Sequence, residues 1–416
     1  MSITRREFVA ASASAAALAA APAAFARGDD TLRVGLIGCG GRGTGAAEDC
    51  LRASPGMRLV ALADLLPERL KGCRDNLTNP SREGGALPVK LDDEHCFTGF
   101  DAYARLVALK EVDLVLLATP PGFRPIHLAA AIEAGKHVFA EKPVAVDPAG
   151  IRTVLEAGAK AKEKNLAVVA GTQRRHERRY LETMKRLHDG ALGEIVAARC
   201  GWNQGRLWHV DRRKEWSDVE WQCRNWLYFS WLSGDHIVEQ HVHNIDVMNW
   251  ALRAHPVRAT AVGGRIARVE PRFGHIYDHF CVDFEYPNGV HVTSTCRQID
   301  GCDGWVGEEI TGSLGSANPA GSIDGPNAWR FKGDSPNPYV EEHRDMVASI
   351  RDGKPLNETQ AVAESTMAAI LGREAAYSGK TLSWDAMMKS SLDLSPKEYA
   401  FGELPVAPVA VPGRRA

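Results

Sequence analysis

Residues 34–64 read VGLIGCGGRGTGAAEDCLRASPGMRLVALAD. This is an apolar strand, a glycine turn, an alanine-rich helix and a second strand closing on an acid. Gly38, Gly40 and Gly43 have the G-x-G-x-x-G spacing of a dinucleotide-binding turn. The first glycine permits the tight bend, the second admits a pyrophosphate to the backbone, and the third lets helix and strand pack closely. Amides at the helix start then face phosphate. Asp64 stands where a carboxylate accepts from a ribose 2′-hydroxyl, which favours NAD over NADP; the nearby Arg69 softens that preference.

Working outward, strand and helix patterns alternate from 31 to 150. A buried-type strand, 112–118, ends at Thr119-Pro120. A helical stretch then carries His127, and the strand 135–140 ends at Glu141-Lys142-Pro143. Such alternation predicts an α/β fold, a doubly wound parallel Rossmann sheet. Ligands bind beyond the carboxyl ends of its strands, where all these residues fall.

The pattern changes after 150. The hairpin signal at 280–295, around Pro287-Asn288-Gly289, and helical periodicity at 340–350 and 358–378 predict an α+β domain with a largely antiparallel open sheet over 151–390. An irregular tail fills 391–416, free or pinned on a neighbour. At the other end, Arg5-Arg6, an apolar alanine-rich run and Ala24-Phe25-Ala26 resemble a twin-arginine export signal over 1–26, which predicts an exported, periplasmic protein. Nine scattered cysteines without a C-x-x-C spacing predict no disulfide framework but mostly buried small hydrophobes, Cys39 and Cys281 among them. A formal charge of −2 without a long basic run offers no footprint for nucleic acid, and no stretch after the leader is long enough to span a bilayer.

Three stretches carry a resemblance: the glycine turn, Glu141-Lys142-Pro143, and 233–246, SGDHIVEQHVHNID. Together they resemble the Gfo/Idh/MocA family, the relatives of glucose-fructose oxidoreductase and inositol dehydrogenase. The second family signature, roughly G-G-G-x-x-x-D-x-G-x-H-x-x-D, is met at Gly234, His243 and Asp246. Ser233 and Asp235 replace glycines, Glu239 replaces Asp, and His241 stands where Gly is usual. The resemblance implies a tightly bound NAD(P), with Gly38, Gly40, Arg42, Gly43, Asp64, Thr119, Pro120, His127, Glu141 and Lys142 around it. It also implies catalysis by Lys142 and His243, with Arg175 on the substrate side, and a sugar, cyclitol or glycoside as substrate. A homo-oligomer, dimer or tetramer, is expected.

Physical chemistry supports those assignments. Oxidising a secondary alcohol needs a base for the hydroxyl proton, and histidine titrates near neutrality. Glu239 and His243, four apart, would share a helix face, so that the carboxylate orients the imidazole. Without the resemblance, a lone lysine is a surface cation and such a Glu–His spacing only a helix pair. His236, His241 and His243 with Glu239 and Asp235 match no established zinc spacing, and no metal is expected. Trp202, Trp208, Trp216, Trp221, Trp226 and Trp231 crowd one stretch. They form either a carbohydrate subsite, with Trp202, Arg224 and His241 as substrate contacts, or ordinary aromatic packing.

The runner-up function is a glycoside hydrolase on the same fold, which some relatives of this family exemplify. It works by transient oxidation, elimination, water addition and reduction, with Tyr228, Tyr277 or His275 as the additional acid or base. A non-catalytic sugar-binding protein ranks third. Export adds a constraint: free dinucleotide is scarce outside the cytoplasm, so the cofactor is expected to stay bound, with the tail or a neighbouring subunit covering the crevice, and to be regenerated in a redox-neutral cycle.

Overall fold

The computed structural model describes residues 30–414. The expected export signal lies outside them.

The first sheet has six parallel strands: β1 (Leu32–Ile37), β2 (Met57–Asp64), β3 (Cys96–Thr98), β4 (Leu114–Leu117), β5 (His137–Ala140) and β6 (Val168–Ala170). Their spatial order is β3-β2-β1-β4-β5-β6, the doubly wound order, with the switch between β1 and β4. Leu114–Leu117 and His137–Ala140 are buried at every position, as central parallel strands with helices on both faces must be. Helix α1 (Gly41–Ala53) follows the glycine turn and buries Ala46, Ala47 and Cys50.

One boundary moves. Helix α2 (Pro148–Glu163) is capped by the Asp147 carboxylate on the Gly150 amide, and the strand after it pairs in parallel with β5. Both therefore belong to the first domain, which ends near 171 rather than at 150.

The second domain carries a nine-stranded sheet, in the order β14 (Trp329–Arg330), β13 (Ser322–Asp324), β12 (Gly315–Asn318), β11 (Trp305–Gly312), β7 (Ile195–Gln204), β10 (His291–Gln298), β9 (His279–Glu285), β8 (Arg258–Gly264) and β15 (Leu382–Ser383). Its centre is β7 (Ile195–Gln204), parallel to β10 (His291–Gln298) and antiparallel to β11 (Trp305–Gly312). The expected hairpin joins β9 (His279–Glu285) to β10. One face packs on helices; along β9 burial alternates. Cys281 falls on the outer face and is exposed, contrary to expectation, while Cys39, Cys50, Cys73, Cys200, Cys223 and Cys296 are buried. An apolar run in a half-covered strand still presents every second residue to solvent.

The chain's later helices include α3 (Asp218–Arg224), α4 (Val242–Leu252), α5 (Pro338–Arg351) and α6 (Thr359–Ser378). The α5 helix returns to pack on α1, and α6 packs on α2 and β8, so the chain's last helices tie the domains together. Arg373, fully buried on α6, donates to the carbonyls of Val146 and Gly234. It thereby holds the loop after β5 against the second domain. From 389 to 414 there is neither helix nor strand, yet the tail is hydrogen-bonded to its own chain.

Candidate functional site

Strand order places the predicted residues along one edge of the parallel sheet: Asp64 after β2, the glycine turn after β1, Thr119-Pro120 after β4, and Glu141-Lys142 after β5. A cleft of about 530 Å³ follows this edge and is lined by Gly38, Gly40, Arg42, Asp64, Thr119 and His127, among others. Its walls fit a dinucleotide. Gly38 has φ +100°, and a Cβ there would come within 2.6 Å of the Ala118–Thr119 backbone. A Cβ on Gly43 would overlap the Gly38 carbonyl oxygen, whereas one on Gly40 would meet nothing within 4 Å. Only the middle glycine faces open space, where the pyrophosphate backbone approach is needed.

Asp64 accepts from the amides of Cys39 (2.6 Å) and Leu66 (2.8 Å), which fixes its carboxylate at the adenosine end. His127 stacks between Tyr103 and Phe123, and its Nδ1 lies 3.3 Å from the Thr119 hydroxyl. Burial, with Arg124 beside it, lowers the imidazole to about 3, so it stays neutral. Arg42 reaches from α1 to Glu141, Asp49 and the fully buried Glu342. Glu141 is pressed against Gly171, where any Cβ would crowd it.

Lys142 donates to the Glu239 carbonyl oxygen (2.6 Å) and to its Oε1 (3.1 Å). Both side chains are nearly closed off, 12% and 10% exposed. This differs from the expected Glu239–His243 pair. His236–Glu239 and α4 are separate helices, broken at Gln240-His241, so the two residues do not share a face. No side chain among the described residues hydrogen-bonds the His243 ring, which instead stacks on Trp202 with centroids 5.6 Å apart. Burial, reinforced by the cations of Lys142, Arg174 and Arg42, holds His243 well below its ordinary value.

Asp235 explains one departure from the family signature. It has φ +72°, a conformation that favours the glycine usual there. Its carboxylate offsets the strain by accepting from the His236 and Tyr277 amides and the Tyr377 hydroxyl.

Several expected substrate contacts lie elsewhere. Arg175 forms a forked ion pair with buried Asp246 (2.8–3.1 Å), tying the turn after β6 to α4. Its neighbour Arg174 faces the site, 5.8 Å from the Trp202 ring and paired with Glu308. The expected substrate-side Arg175 is therefore already engaged by Asp246. His241 is sealed behind the sheet, 2.6 Å from the Ser294 hydroxyl. Arg224 lines the dinucleotide cleft, paired with Glu68 and Glu220, away from Lys142. Trp202 alone of the tryptophans stacks on His243; Trp208 and Trp226 line the cleft, and Trp221 and Trp231 are buried in an aromatic core. Tyr228 and Tyr277 donate their hydroxyls to backbone carbonyls, and His275 bonds the Ser230 hydroxyl through Nε2 while its buried Nδ1 has no partner among the described residues. Among the described residues, no group of three or more His, Cys, Asp or Glu could hold a metal. No helix there is long and apolar enough to cross a membrane.

Comparison with known proteins agrees with this geometry. Residues 32–171 match the family model described as "Oxidoreductase family, NAD-binding Rossmann fold". Residues 180–318 match the "GFO/IDH/MocA C-terminal domain". An inositol 2-dehydrogenase from Serratia proteamaculans is 27% identical over 265 residues, 63% of this chain and 66% of that protein. "Glycosyl hydrolase family 109 protein 1" from Bacteroides fragilis is 32% identical over 168 residues, 40% of this chain and 33% of that one. The chain spans about half to two thirds of the length of several other curated relatives, 60%, 46% and 65%. The crystal structure of scyllo-inositol dehydrogenase from Lactobacillus casei, with bound NAD(H) and scyllo-inositol, shares the fold at a TM-score of 0.64 and 19% identity, covering 85% of this chain and 99% of that one. With both domains matched, the chain belongs to the Gfo/Idh/MocA family and carries its NAD-binding domain.

Proposed function

We propose that this protein oxidises a secondary alcohol of a neutral sugar, cyclitol or glycoside, using tightly held NAD. The observation that carries this reading is that Lys142, from the end of β5, hydrogen-bonds Glu239 of the second domain and stands close enough to His243 that burial and its cation together hold that imidazole neutral. Bound nicotinamide supplies a hydride acceptor. His243, neutral and with no hydrogen bond to its ring among the described residues, takes the hydroxyl proton. The Lys142 ammonium stabilises charge developing on the carbinol oxygen, and Glu239 keeps it pointed there. Trp202 offers an apolar face to sugar C–H groups, and Arg174 a donor beside it. Substrate neutrality follows from pairing, since Lys142, Arg174 and Arg42 already face Glu239, Glu308 and Glu141. A panel of cyclitols, aldoses and their uronates, assayed for ketone formation, tests this: neutral compounds should turn over, and exclusive turnover of the acids would refute the assignment.

The hydrolase reading is favoured by one observation, the likeness to family 109 glycosyl hydrolases. It needs a further acid, and Tyr339 fits: its ring lies 4.8 Å from the Arg42 guanidinium and Gln173 donates to its hydroxyl at 3.3 Å. Release of a free aglycone without net NAD reduction would establish it. The leader supports export by the twin-arginine route, and export supports a cofactor loaded beforehand and regenerated on the enzyme. Changing Arg5-Arg6 to lysines should trap the precursor inside the cell; unaltered secretion would rule that route out. The open outer face of the nine-stranded sheet, with Val196, Val262 and Val306 exposed, is the natural surface for a homo-oligomer.

A further inference from the structure

The adenosine end of the cleft is built by three parts of the chain. Leu65, Arg69 and Phe100 come from the nucleotide-binding domain, while Arg224, Trp208 and Trp226 come from the second domain. Arg224, near the end of α3, reaches across to Glu68 and thereby links the two walls. Trp226 packs edge-on against Trp208, 6.2 Å between centroids, which sets an aromatic wall opposite Asp64's ribose position.

The third part is the C-terminal segment. It leaves the second domain and docks on the first, where the Leu392 carbonyl oxygen accepts from Ala149 and the Leu394 amide donates to Asp147. Tyr399 then packs at a tilt against Phe123 (5.7 Å), and Phe401 packs edge-on against Phe100 (5.1 Å); both partners line the cleft. Immediately afterwards the chain crosses to α3. The Gly402 carbonyl accepts from the Val219 amide, the Leu404 amide donates to Asp218, and Gln222 donates to the Leu404 carbonyl at 2.6 Å. Within six residues the segment therefore grips both walls of the adenosine end.

We propose that residues 399–404 form a brace that holds the Trp226–Arg224 wall against the nucleotide-binding domain, closing a seat for the adenine ring, so that dinucleotide exchange requires the brace to release. The inference rests on the reading of this cleft as the NAD site. It gives cofactor retention a structural cause within one chain, with no neighbouring subunit needed. An adenine ring seated against Trp226 would gain affinity of the size measured for base–aromatic contacts.

The test uses the full-length protein. Bound dinucleotide is chased with excess labelled NAD, and melting temperature is recorded alongside. Phe401→Ala removes a half-exposed ring and so spares the core, and Asp218→Ala cuts the brace at its other end. Each should speed exchange by about tenfold, the worth of one aromatic or charge-assisted contact, with little change in melting. Trp226→Ala should weaken binding by roughly five- to 150-fold. Exchange as slow as in the unaltered protein for both brace variants would overturn the proposal. So would acceleration that only tracks a fall in melting temperature. Unaltered protein that neither carries nor takes up NAD would instead overturn the cofactor reading beneath it.

Discussion

Replacing Lys142 by Met separates the two jobs that the Lys142–Glu239 pair performs. The ammonium makes two hydrogen bonds, at 2.6 and 3.1 Å, in a site where neither side chain is more than 12% exposed. Its loss leaves the Glu239 carboxylate buried without its counter-charge, and Oε2 of that residue already has no partner. Breaking one side of a buried pair typically costs about 3–5 kcal/mol, whereas replacing both partners with neutral groups is often close to neutral. Turnover should fall by about 10²–10³-fold, the usual worth of one positioned donor at a developing oxyanion. The double change Lys142→Met with Glu239→Gln should then recover most of the stability in a denaturant titration, while turnover stays as low as in the single variant. Near-normal turnover in either protein would remove Lys142 from the chemistry. A single variant as stable as the parent would show that the pair is not closed off from water as described.

Three further outcomes follow from the geometry. Because burial and neighbouring cations hold His243 well below 6.5, it is already neutral at pH 6.5. The oxidation rate should therefore show no acid limb near that pH, only below it, and His243→Ala should lose about 10²–10⁴-fold in turnover. Asp64→Ser removes the carboxylate that would repel a 2′-phosphate, so the ratio of NAD to NADP affinity, measured on apo-protein, should fall; an unchanged ratio would dismiss Asp64 as the discriminator. His176, set between Asp345 (2.7 Å) and Glu358 (3.2 Å), is raised to about 10 from 6.5 because these carboxylates outweigh its burial. Its stabilisation is complete below pH 6.5 and drains away as pH rises towards 10. Melting temperature should decline over that window, and the decline should flatten in His176→Gln.

What was legible in the sequence was whatever local periodicity controls. The glycine turn, the strands of four to eight residues and the long helices each carry their own signal, and their order alone implies the parallel sheet. What failed depended on where a short segment breaks or turns. A spacing of four between Glu239 and His243 implies a shared face only if the helix is continuous, and here it stops at Gln240. Arg174 and Arg175 sit in a short 3-10 turn, where adjacent side chains point to different neighbours; only the fold shows that Asp246 claims Arg175. His241 replaces a glycine in the signature, yet the sheet buries it against Ser294. The domain boundary was misplaced because β6 is three residues long, too short for a periodic signal. The tryptophan-rich stretch proved to serve several roles: one ring at the site, two in the cleft, and others in the core.

The central claim is that hydride passes between a substrate carbinol and nicotinamide held in this cleft, with His243 taking the hydroxyl proton and Lys142 stabilising the charge on the carbinol oxygen. The most direct measurement is a single turnover on the purified protein with a neutral substrate deuterated at its carbinol carbons, quenched and analysed for label on the bound dinucleotide. Deuterium should appear on the nicotinamide ring in the unaltered protein and be lost in Lys142→Met and His243→Ala. Product formed while the dinucleotide stays unlabelled would contradict the account.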